Sequence, residues 1–135
     1  MSKNPSILDK AIDVGLRDRE IFDWPNAQGA FQKLKEEVSE LEEVLSQNGS
    51  GKTFEEFSDV FFTLLQVARH LKISPEKNLE FALEKYNLRY NEMFKLIEAD
   101  KKQASELHLD QLENYWQKSK LSTNENLQKL LAQYL

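Results

Sequence analysis

Apolar residues recur every three or four positions along most of the chain, which is the spacing of one buried helix face. In the second predicted helix, which follows a cap at Asn26 and reaches about residue 47, they are Phe31, Leu34, Val38, Leu41 and Leu45. No segment shows the alternation typical of a β-strand. The pattern predicts an all-α protein with a four-helix-bundle-like core and short additional C-terminal helices.

Capping residues and breaks set the limits of the other predicted helices. The first covers about residues 7–20 and ends before a break at Pro25. A turn at 47–51 precedes a third helix that begins at a capping box of Thr53 and Glu56 and reaches about residue 71. The remaining predicted helices run from Pro75 to about residue 100, over 111–118 with Asp110 as cap, and over 124–134 with Thr123 as cap.

The third predicted helix carries apolar residues on more than one face. These residues are Phe57, Val60, Phe61, Phe62, Leu64, Leu65, Val67 and Ala68. Their spread predicts that this helix is the most buried of the chain. Because one small bundle cannot easily cover so many faces, it also predicts a homodimer or higher homo-oligomer.

Composition narrows the classes of protein that the chain can belong to. The 135 residues contain 18 Lys and Arg, 23 Asp and Glu, and no Cys, so the net charge is −5 and thiol chemistry is excluded. The negative charge disfavours a nucleic-acid partner. No apolar run approaches the roughly 20 residues that span a membrane, and the first residues lack an apolar signal region. We expect a single cytoplasmic domain over residues 1–135.

Two pairs of carboxylates lie at the edges of the apolar stripes. Glu37 and Glu40 are three residues apart on the second predicted helix, and Glu56 and Asp59 are three apart on the third. A short turn should make these helices antiparallel neighbours, which brings the pairs together. Clustered carboxylates repel one another unless protonated or bound to a cation, and oxygen ligands suit Mg²⁺, Mn²⁺ or Ca²⁺. From the residues alone, a solvated acidic face and a metal site both remain open.

Several motifs in a fixed order carry a family resemblance. Glu36-Glu37-x-x-Glu40 followed by Glu56-x-x-Asp59 resembles the signature of the all-α nucleoside triphosphate pyrophosphohydrolases. The order of the neighbouring motifs is similar to the MazG family, most of all to the C-terminal catalytic half of two-domain members. These motifs are Phe22-Asp23-Trp24, Ala68-Arg69-His70-Leu71, Glu84-Lys85-Tyr86-x-x-Arg89-Tyr90 and Tyr115-Trp116. The match covers about residues 7–120 and leaves 121–135 as an extra C-terminal helix.

The resemblance implies an enzyme that hydrolyses a nucleoside or deoxynucleoside triphosphate to the monophosphate and pyrophosphate, with a role in nucleotide-pool house-cleaning. It implies Mg²⁺, with Mn²⁺ as a substitute, held by Glu37, Glu40, Glu56 and Asp59. It assigns catalysis to Glu36, Lys85 and Arg89. The substrate-binding positions that it implies are Lys33, Glu36, Glu37, Lys85, Arg89, Trp116 and Lys120.

Three departures and two alternatives accompany this interpretation. Ser58 stands where many relatives have glycine, and Leu88 stands where they often have a first arginine, although Arg89 remains. Leu83 stands where relatives often have asparagine, which bears on affinity or specificity. One alternative is an enzyme similar to phosphoribosyl-ATP pyrophosphohydrolase. The other is a non-catalytic helical interaction protein that kept an acidic face.

Three features of the sequence are interpreted as structural. The segment 49–53 resembles the end of a phosphate-binding loop, but it follows a predicted helix rather than the strand that such a loop requires. Trp24 is interpreted as a hydrophobic anchor at a helix entry. His70 and His108 are interpreted as surface or capping residues.

Overall fold

The structure, a computed structural model, describes residues 4–47 and 49–135, and these residues form helices and no strand. The helices are α1 (Ile7–Asp18), α2 (Ala27–Leu45), α3 (Ser50–His70), α4 (Pro75–Ala99), α5 (Leu109–Ser122) and α6 (Asn124–Ala132), with a 3₁₀ turn at Ala104–Glu106. The all-α prediction is confirmed. Asn48, in the predicted turn, and residues 1–3 lie outside the described residues. None of the described helices is both long and apolar enough to cross a bilayer.

Side-chain caps begin the first two helices, and of these the cap at Asn26 was predicted. The Ser6 hydroxyl accepts a hydrogen bond from the Asp9 backbone N–H (3.1 Å), and the Asp9 carboxylate accepts one from the Ser6 N–H (3.2 Å). At α2, the Asn26 side chain accepts a hydrogen bond from the Gly29 N–H (2.9 Å). These contacts satisfy N–H groups that have no partner inside a helix.

Two predicted helix starts are wrong by a few residues. Helix α3 begins at Ser50, so Thr53 lies inside it and donates its hydroxyl to the Gly49 carbonyl (3.2 Å) instead of capping. Helix α5 begins at Leu109 rather than after Asp110. The Gln111 side chain there accepts a hydrogen bond from the His108 N–H (2.9 Å), which favours the earlier start.

The chain divides into two compact units, Met1–Glu76 and Lys77–Leu135, and each is described by itself. In the first unit, α2 and α3 pack on each other across a short connection, and α1 packs on α3. Gln66 of α3 donates a hydrogen bond to the Ala11 carbonyl of α1 (2.8 Å). A Cβ on Gly15 would lie 2.0 Å from the Gln66 side-chain oxygen, so any larger residue at this position would displace the Gln66 side chain.

Helix α3 only partly meets the expectation of burial. It contributes more buried residues than any other described helix. Its aromatic face is nevertheless open to solvent: Phe54 is 81% exposed, Phe57 58% and Phe61 46%. These three residues line an open hollow of about 910 Å³. The first unit therefore has an apolar surface that its own described residues leave uncovered.

The second unit has its own small core. Met93 and Ile97 of α4 pack with Tyr115 of α5, and the Tyr115 hydroxyl donates to the Asp100 carboxylate (2.5 Å). Beyond α6, the Tyr134 ring lies against Phe81 of α4 with 5.5 Å between ring centroids. The sequence predicts an apolar stripe of Leu127, Leu130, Leu131 and Tyr134 without indicating what it contacts, and the structure shows that Tyr134 packs on α4 of the same chain.

Candidate active site

Three of the four predicted metal ligands come together on α2 and α3. One carboxylate oxygen each from Glu37, Glu56 and Asp59 lies within 4.8 Å of the others. The side chains of Glu37 and Glu56 are each only 10% exposed, whereas Asp59 is exposed. The helical repeat explains the arrangement, because Glu56 and Asp59 lie one turn apart on the same edge of α3.

One oxygen of each buried glutamate has no partner. Oε2 of Glu37 and Oε2 of Glu56 are buried without a hydrogen bond from any described residue. An unpaired buried carboxylate oxygen is costly, so native structures normally supply a donor, a water molecule or a cation. Two such oxygens in one acidic cluster fit a divalent cation, since carboxylate oxygens are the ligands that Mg²⁺ and Mn²⁺ prefer.

Glu40, the fourth predicted ligand, stands at the edge of this cluster. It is exposed and is not among the three residues whose oxygens lie within 4.8 Å of one another. The neighbouring Glu37 carboxylate, with a smaller contribution from Glu56, raises the pKa of Glu40 above its usual value. The Glu40 carboxyl therefore lies close enough to the cluster to interact electrostatically with Glu37 and Glu56.

Two lysines partly neutralise the buried glutamates from the solvent side. Lys33 Nζ lies 3.4 Å from Glu37 Oε1, and Lys52 Nζ lies 3.1 Å from Glu56 Oε1. Glu36, followed by Glu37, raises the pKa of Lys33 above its usual value. Glu56 is the main cause of the raised pKa of Lys52. Lys33 was predicted and Lys52 was missed. The available signal was spacing, because each lysine precedes its buried glutamate by four residues on a helix.

Glu36 occupies a different environment from Glu37. Its side chain is 64% exposed and contacts Lys33, with 3.3 Å between Oε2 and Nζ. Glu36 therefore lies outside the group of three carboxylates, beside the lysine that contacts Glu37.

A cavity of about 440 Å³ adjoins the cluster. Lys33 lines it, and the same Lys33 ammonium contacts Glu37. Its apolar and aromatic lining consists of Val14, Phe22, Trp24 and Phe62, and the polar side chains that share the wall with Lys33 are Asp18, Asp23, Gln66 and Arg69. The larger hollow on α3 contains none of the clustered carboxylates. The smaller cavity is consequently the better candidate for a substrate, and its volume lies within the range of small-molecule sites.

A buried ion pair fixes the wall of this cavity. The Arg69 guanidinium donates two hydrogen bonds to Asp23 (2.7 and 3.0 Å), and His70 Nε2 lies 3.1 Å from the same carboxylate. Arg69, with a smaller contribution from His70, holds the pKa of Asp23 well below its usual range. The interpretation of His70 as a surface or capping residue is wrong, because only 12% of its side chain is exposed. Trp24 lines this cavity, with 6.4 Å between its ring centroid and that of His70, and its interpretation as an anchor stays a prediction.

The remaining predicted residues belong to the second unit. Lys85 and Arg89 lie one turn apart on α4, both half-buried, and Arg89 Nε is buried without a hydrogen-bond partner among the described residues. Trp116 of α5 is half-buried against Tyr86, with 5.5 Å between ring centroids. Lys120 is half-buried near the end of α5. An unpaired guanidinium nitrogen is a donor that an anion could satisfy.

Comparison with known proteins identifies the family. Residues 26–94, just over half of the chain, match the MazG nucleotide pyrophosphohydrolase domain, and the chain belongs to this family. Nucleoside triphosphate pyrophosphohydrolase/pyrophosphatase MazG of Thermotoga maritima is 35% identical over 114 residues, which are 84% of this chain and 41% of the relative. Nucleoside triphosphate pyrophosphohydrolase of Escherichia coli K12 is 30% identical over 104 residues, 73% of this chain and 38% of the relative. The chain thus spans about two fifths of the length of these relatives.

Proposed function

We propose that the chain is a magnesium-dependent nucleoside triphosphate pyrophosphohydrolase that converts a nucleoside or deoxynucleoside triphosphate and water into the monophosphate and pyrophosphate. The observation that carries the proposal is the group of three carboxylates with two buried, unpartnered oxygens. This group lies inside the segment that matches the family. The names of the relatives support the reaction.

The metal would be held by Glu37, Glu56 and Asp59, with Glu40 joining from the edge of the cluster. Bound Mg²⁺, or Mn²⁺ as a substitute, would supply positive charge to a substrate with about four negative charges and would acidify the attacking water. Without such charge, the carboxylates and the triphosphate would repel each other.

In the proposed reaction, the water oxygen bonds to the α-phosphorus while the bond from that phosphorus to the bridging oxygen breaks. Pyrophosphate leaves with the bonding electron pair, and the water proton is released. Lys85 and Arg89 would neutralise the leaving pyrophosphate, Arg89 through donors that include its unpaired Nε. Lys33 would exchange its contact with Glu37 for a phosphate, and Glu36 would keep Lys33 oriented through their 3.3 Å contact.

Two places are candidates for the nucleobase. The resemblance implies Trp116 together with Lys120, whereas the cavity beside Trp24 shares Lys33 with the acidic cluster. The cavity supports a base site in the first unit, because a nucleotide whose phosphates lie at the cluster would extend its sugar and base past Lys33.

We also propose a homodimer as the working assembly. The support is the exposed aromatic face of Phe54, Phe57 and Phe61. A contiguous apolar surface of this kind usually marks an interface. The cytoplasmic location and the single-domain organisation expected from the sequence stay predictions.

The reaction is tested by product analysis with the purified chain. A panel of nucleoside and deoxynucleoside triphosphates, with phosphoribosyl-ATP included, is incubated with Mg²⁺, Mn²⁺ or excess chelator. We expect pyrophosphate and a monophosphate from at least one triphosphate, and no turnover in chelator. Orthophosphate as the only phosphate product, or equal turnover in chelator, would contradict the proposal. Preferential turnover of phosphoribosyl-ATP would identify the enzymatic alternative, and no turnover at all would favour the non-catalytic one.

A pair of variants on α2 sharpens this test. Glu37→Gln removes a buried ligand and should lower the rate about 100-fold or more, the loss typical of removing one preorganised electrostatic contact. Glu42→Gln makes the same chemical change at an exposed position of the same helix and should leave the rate unchanged. Equal losses in the two variants would show that α2 is sensitive to any such change.

A further inference from the structure

In the second unit, the ring of Phe81 contacts both the C-terminal residue Tyr134 and Lys85, a predicted catalytic residue. The Phe81 ring of α4 lies against the Tyr134 ring in an edge-to-face arrangement, with 5.5 Å between centroids and 69° between planes. The Lys85 ammonium, one helical turn further along α4, lies 5.6 Å from the centroid of the same Phe81 ring. The Tyr134 hydroxyl donates a 2.7 Å hydrogen bond to Glu84, which adjoins Lys85.

We propose that Tyr134 is a positioning residue for Lys85, acting through the ring of Phe81. This inference rests on the proposed function, because the phosphate-binding role of Lys85 is part of it. Tyr134 lies beyond the segment that matches the family, so it would be a contribution of the C-terminal residues of this chain.

The contacts of Lys85 explain why the ring matters. Among the described residues, no carboxylate lies within salt-bridge distance of Lys85. The Lys85 ammonium lies over the Phe81 ring instead. A cation in this position is attracted electrostatically to the ring when it lies within about 6 Å of the centroid. A lysine without this contact would sample many rotamers and lose entropy each time it bound a phosphate.

The contacts of Phe81 explain why Tyr134 matters. The edge of one aromatic ring against the face of another fixes their mutual orientation. Tyr134 is held in turn by its hydroxyl bond to Glu84, which is on the same helix as Phe81 and Lys85. The contact therefore closes a small loop of interactions on α4, and removal of the Tyr134 ring would release Phe81 and, with it, the Lys85 ammonium.

Steady-state kinetics on matched variants test the proposal, well below the melting temperature of each protein. Tyr134→Leu keeps apolar bulk but removes the ring, and kcat/KM should fall about two- to five-fold, the value of an exposed cation–π contact expressed as a rate ratio. Tyr134→Phe keeps the ring and loses only the hydroxyl bond to Glu84, so its loss of kcat/KM should be smaller than that of Tyr134→Leu. Gln133→Ala, an exposed neighbour, should also match the parent. Equal losses in all three, or none in Tyr134→Leu, would overturn the proposal.

A Lys85→Met background separates positioning from a general structural role. If Tyr134 acts through Lys85, adding Tyr134→Leu to Lys85→Met should change kcat/KM little, because interacting residues are not additive. A further loss of the same factor as in the parent would place the effect of Tyr134 elsewhere and overturn the inference.

A measurement that needs no turnover keeps the inference separate from the proposed function. Ring currents of Phe81 should shift the Lys85 ε-methylene protons upfield, and this NMR shift should vanish in Tyr134→Leu and persist in Tyr134→Phe. Lys35 over Phe31 and Lys118 over Tyr115 provide internal references that should not move. An unchanged Lys85 signal in Tyr134→Leu overturns positioning. The expected shift in a protein that releases no pyrophosphate supports the contact and refutes the function.

Discussion

Glu56→Gln is the substitution that best separates a metal site from a structural ion pair. The change is nearly isosteric, so it opens no cavity at a side chain that is only 10% exposed. It removes one negative charge from the acidic cluster, one candidate metal ligand and the ionic part of the contact with Lys52 at 3.1 Å. The metal-site and ion-pair interpretations predict opposite effects on the metal-free protein.

The geometry gives the magnitude for the metal-free protein. At a separation of 4.8 Å and an effective dielectric constant of about 20, two like charges repel by about 3 kcal/mol. Glu56 has such neighbours in both Glu37 and Asp59. The contact of Glu56 with Lys52 stabilises the metal-free protein by less than this repulsion destabilises it, because the Lys52 side chain is 52% exposed and solvent screens the contact. We therefore expect metal-free Glu56→Gln to melt at or above the temperature of the metal-free parent.

Metal should reverse the order of the two proteins. Mg²⁺ at a hundredfold excess over its dissociation constant stabilises the parent by about 2.7 kcal/mol. For a chain of 135 residues this corresponds to a rise in melting temperature of roughly 10 °C. The variant has lost a ligand and should rise much less.

Thermal melts of both proteins, each with Mg²⁺ and with chelator, measure the four values. Glu55→Gln is the matched control, because this neighbour is 67% exposed and lies 3.9 Å from the same lysine. It should follow the parent in both conditions. If Glu56→Gln melts lower than the parent in chelator and gains as much from Mg²⁺, then Glu56 is a structural partner of Lys52 and the proposed metal site is misplaced.

Two further predictions concern the rest of the first unit. Asp23→Asn should cost about 3 kcal/mol at pH 7, the typical loss from breaking a buried ion pair. Because the folded-state pKa of Asp23 is lowered by Arg69, this contribution is present above about pH 4 and is lost as the pH falls. The difference from the parent in urea unfolding should therefore be smaller at pH 3 than at pH 7, and an equal gap would argue against the ion pair. Phe57→Glu places a charge on the exposed aromatic face. The variant should be a monomer by light scattering, with little loss in melting temperature. A parent protein that is already monomeric at micromolar concentration refutes the proposed dimer.

Sequence periodicity was sufficient for the features that depend on a single helix. A three-residue spacing places two carboxylates on one edge of a helix whatever the rest of the fold does, so the proximity of Glu56 and Asp59 could be predicted. Side-chain caps such as Ser6 and Asn26 were predictable for the same reason, since their partners lie three residues away.

Features that join distant parts of the chain could not be predicted in this way. The Arg69–Asp23 ion pair links residues 46 positions apart, and its partners were visible only as separate family motifs. The cavity beside Lys33 depends on how α1 and the segment with Trp24 pack on α3. The early start of α3 was missed because Thr53 can either cap a helix or bond inside one, and only the structure distinguishes these.

The same spacing of charges occurs on both helices of the acidic cluster. Lys33, Glu37 and Glu40 lie at relative positions 0, 4 and 7 of one segment, and Lys52, Glu56 and Asp59 lie at the same relative positions of the other. Each lysine contacts Oε1 of its glutamate, and Oε2 of each glutamate has no hydrogen-bond partner within residues 4–47 and 49–135.

The charge balance of this repeated pattern bears on the proposed metal. Two lysines and four carboxylates carry 2 − 4 = −2, and Glu36 and Glu55, which contact the same lysines, make the local charge more negative still, so a divalent cation would lower the repulsion in this group. The lysines lower the repulsion between the two helices, but their ammonium groups do not hydrogen-bond to the Oε2 atoms, which have no partner among the described residues. A cation between the helices would satisfy those oxygens and, by competing with the lysines for the glutamates, would release Lys33 and Lys52 toward an arriving phosphate. We therefore expect metal and triphosphate to bind with positive cooperativity, each strengthening the other to the same extent.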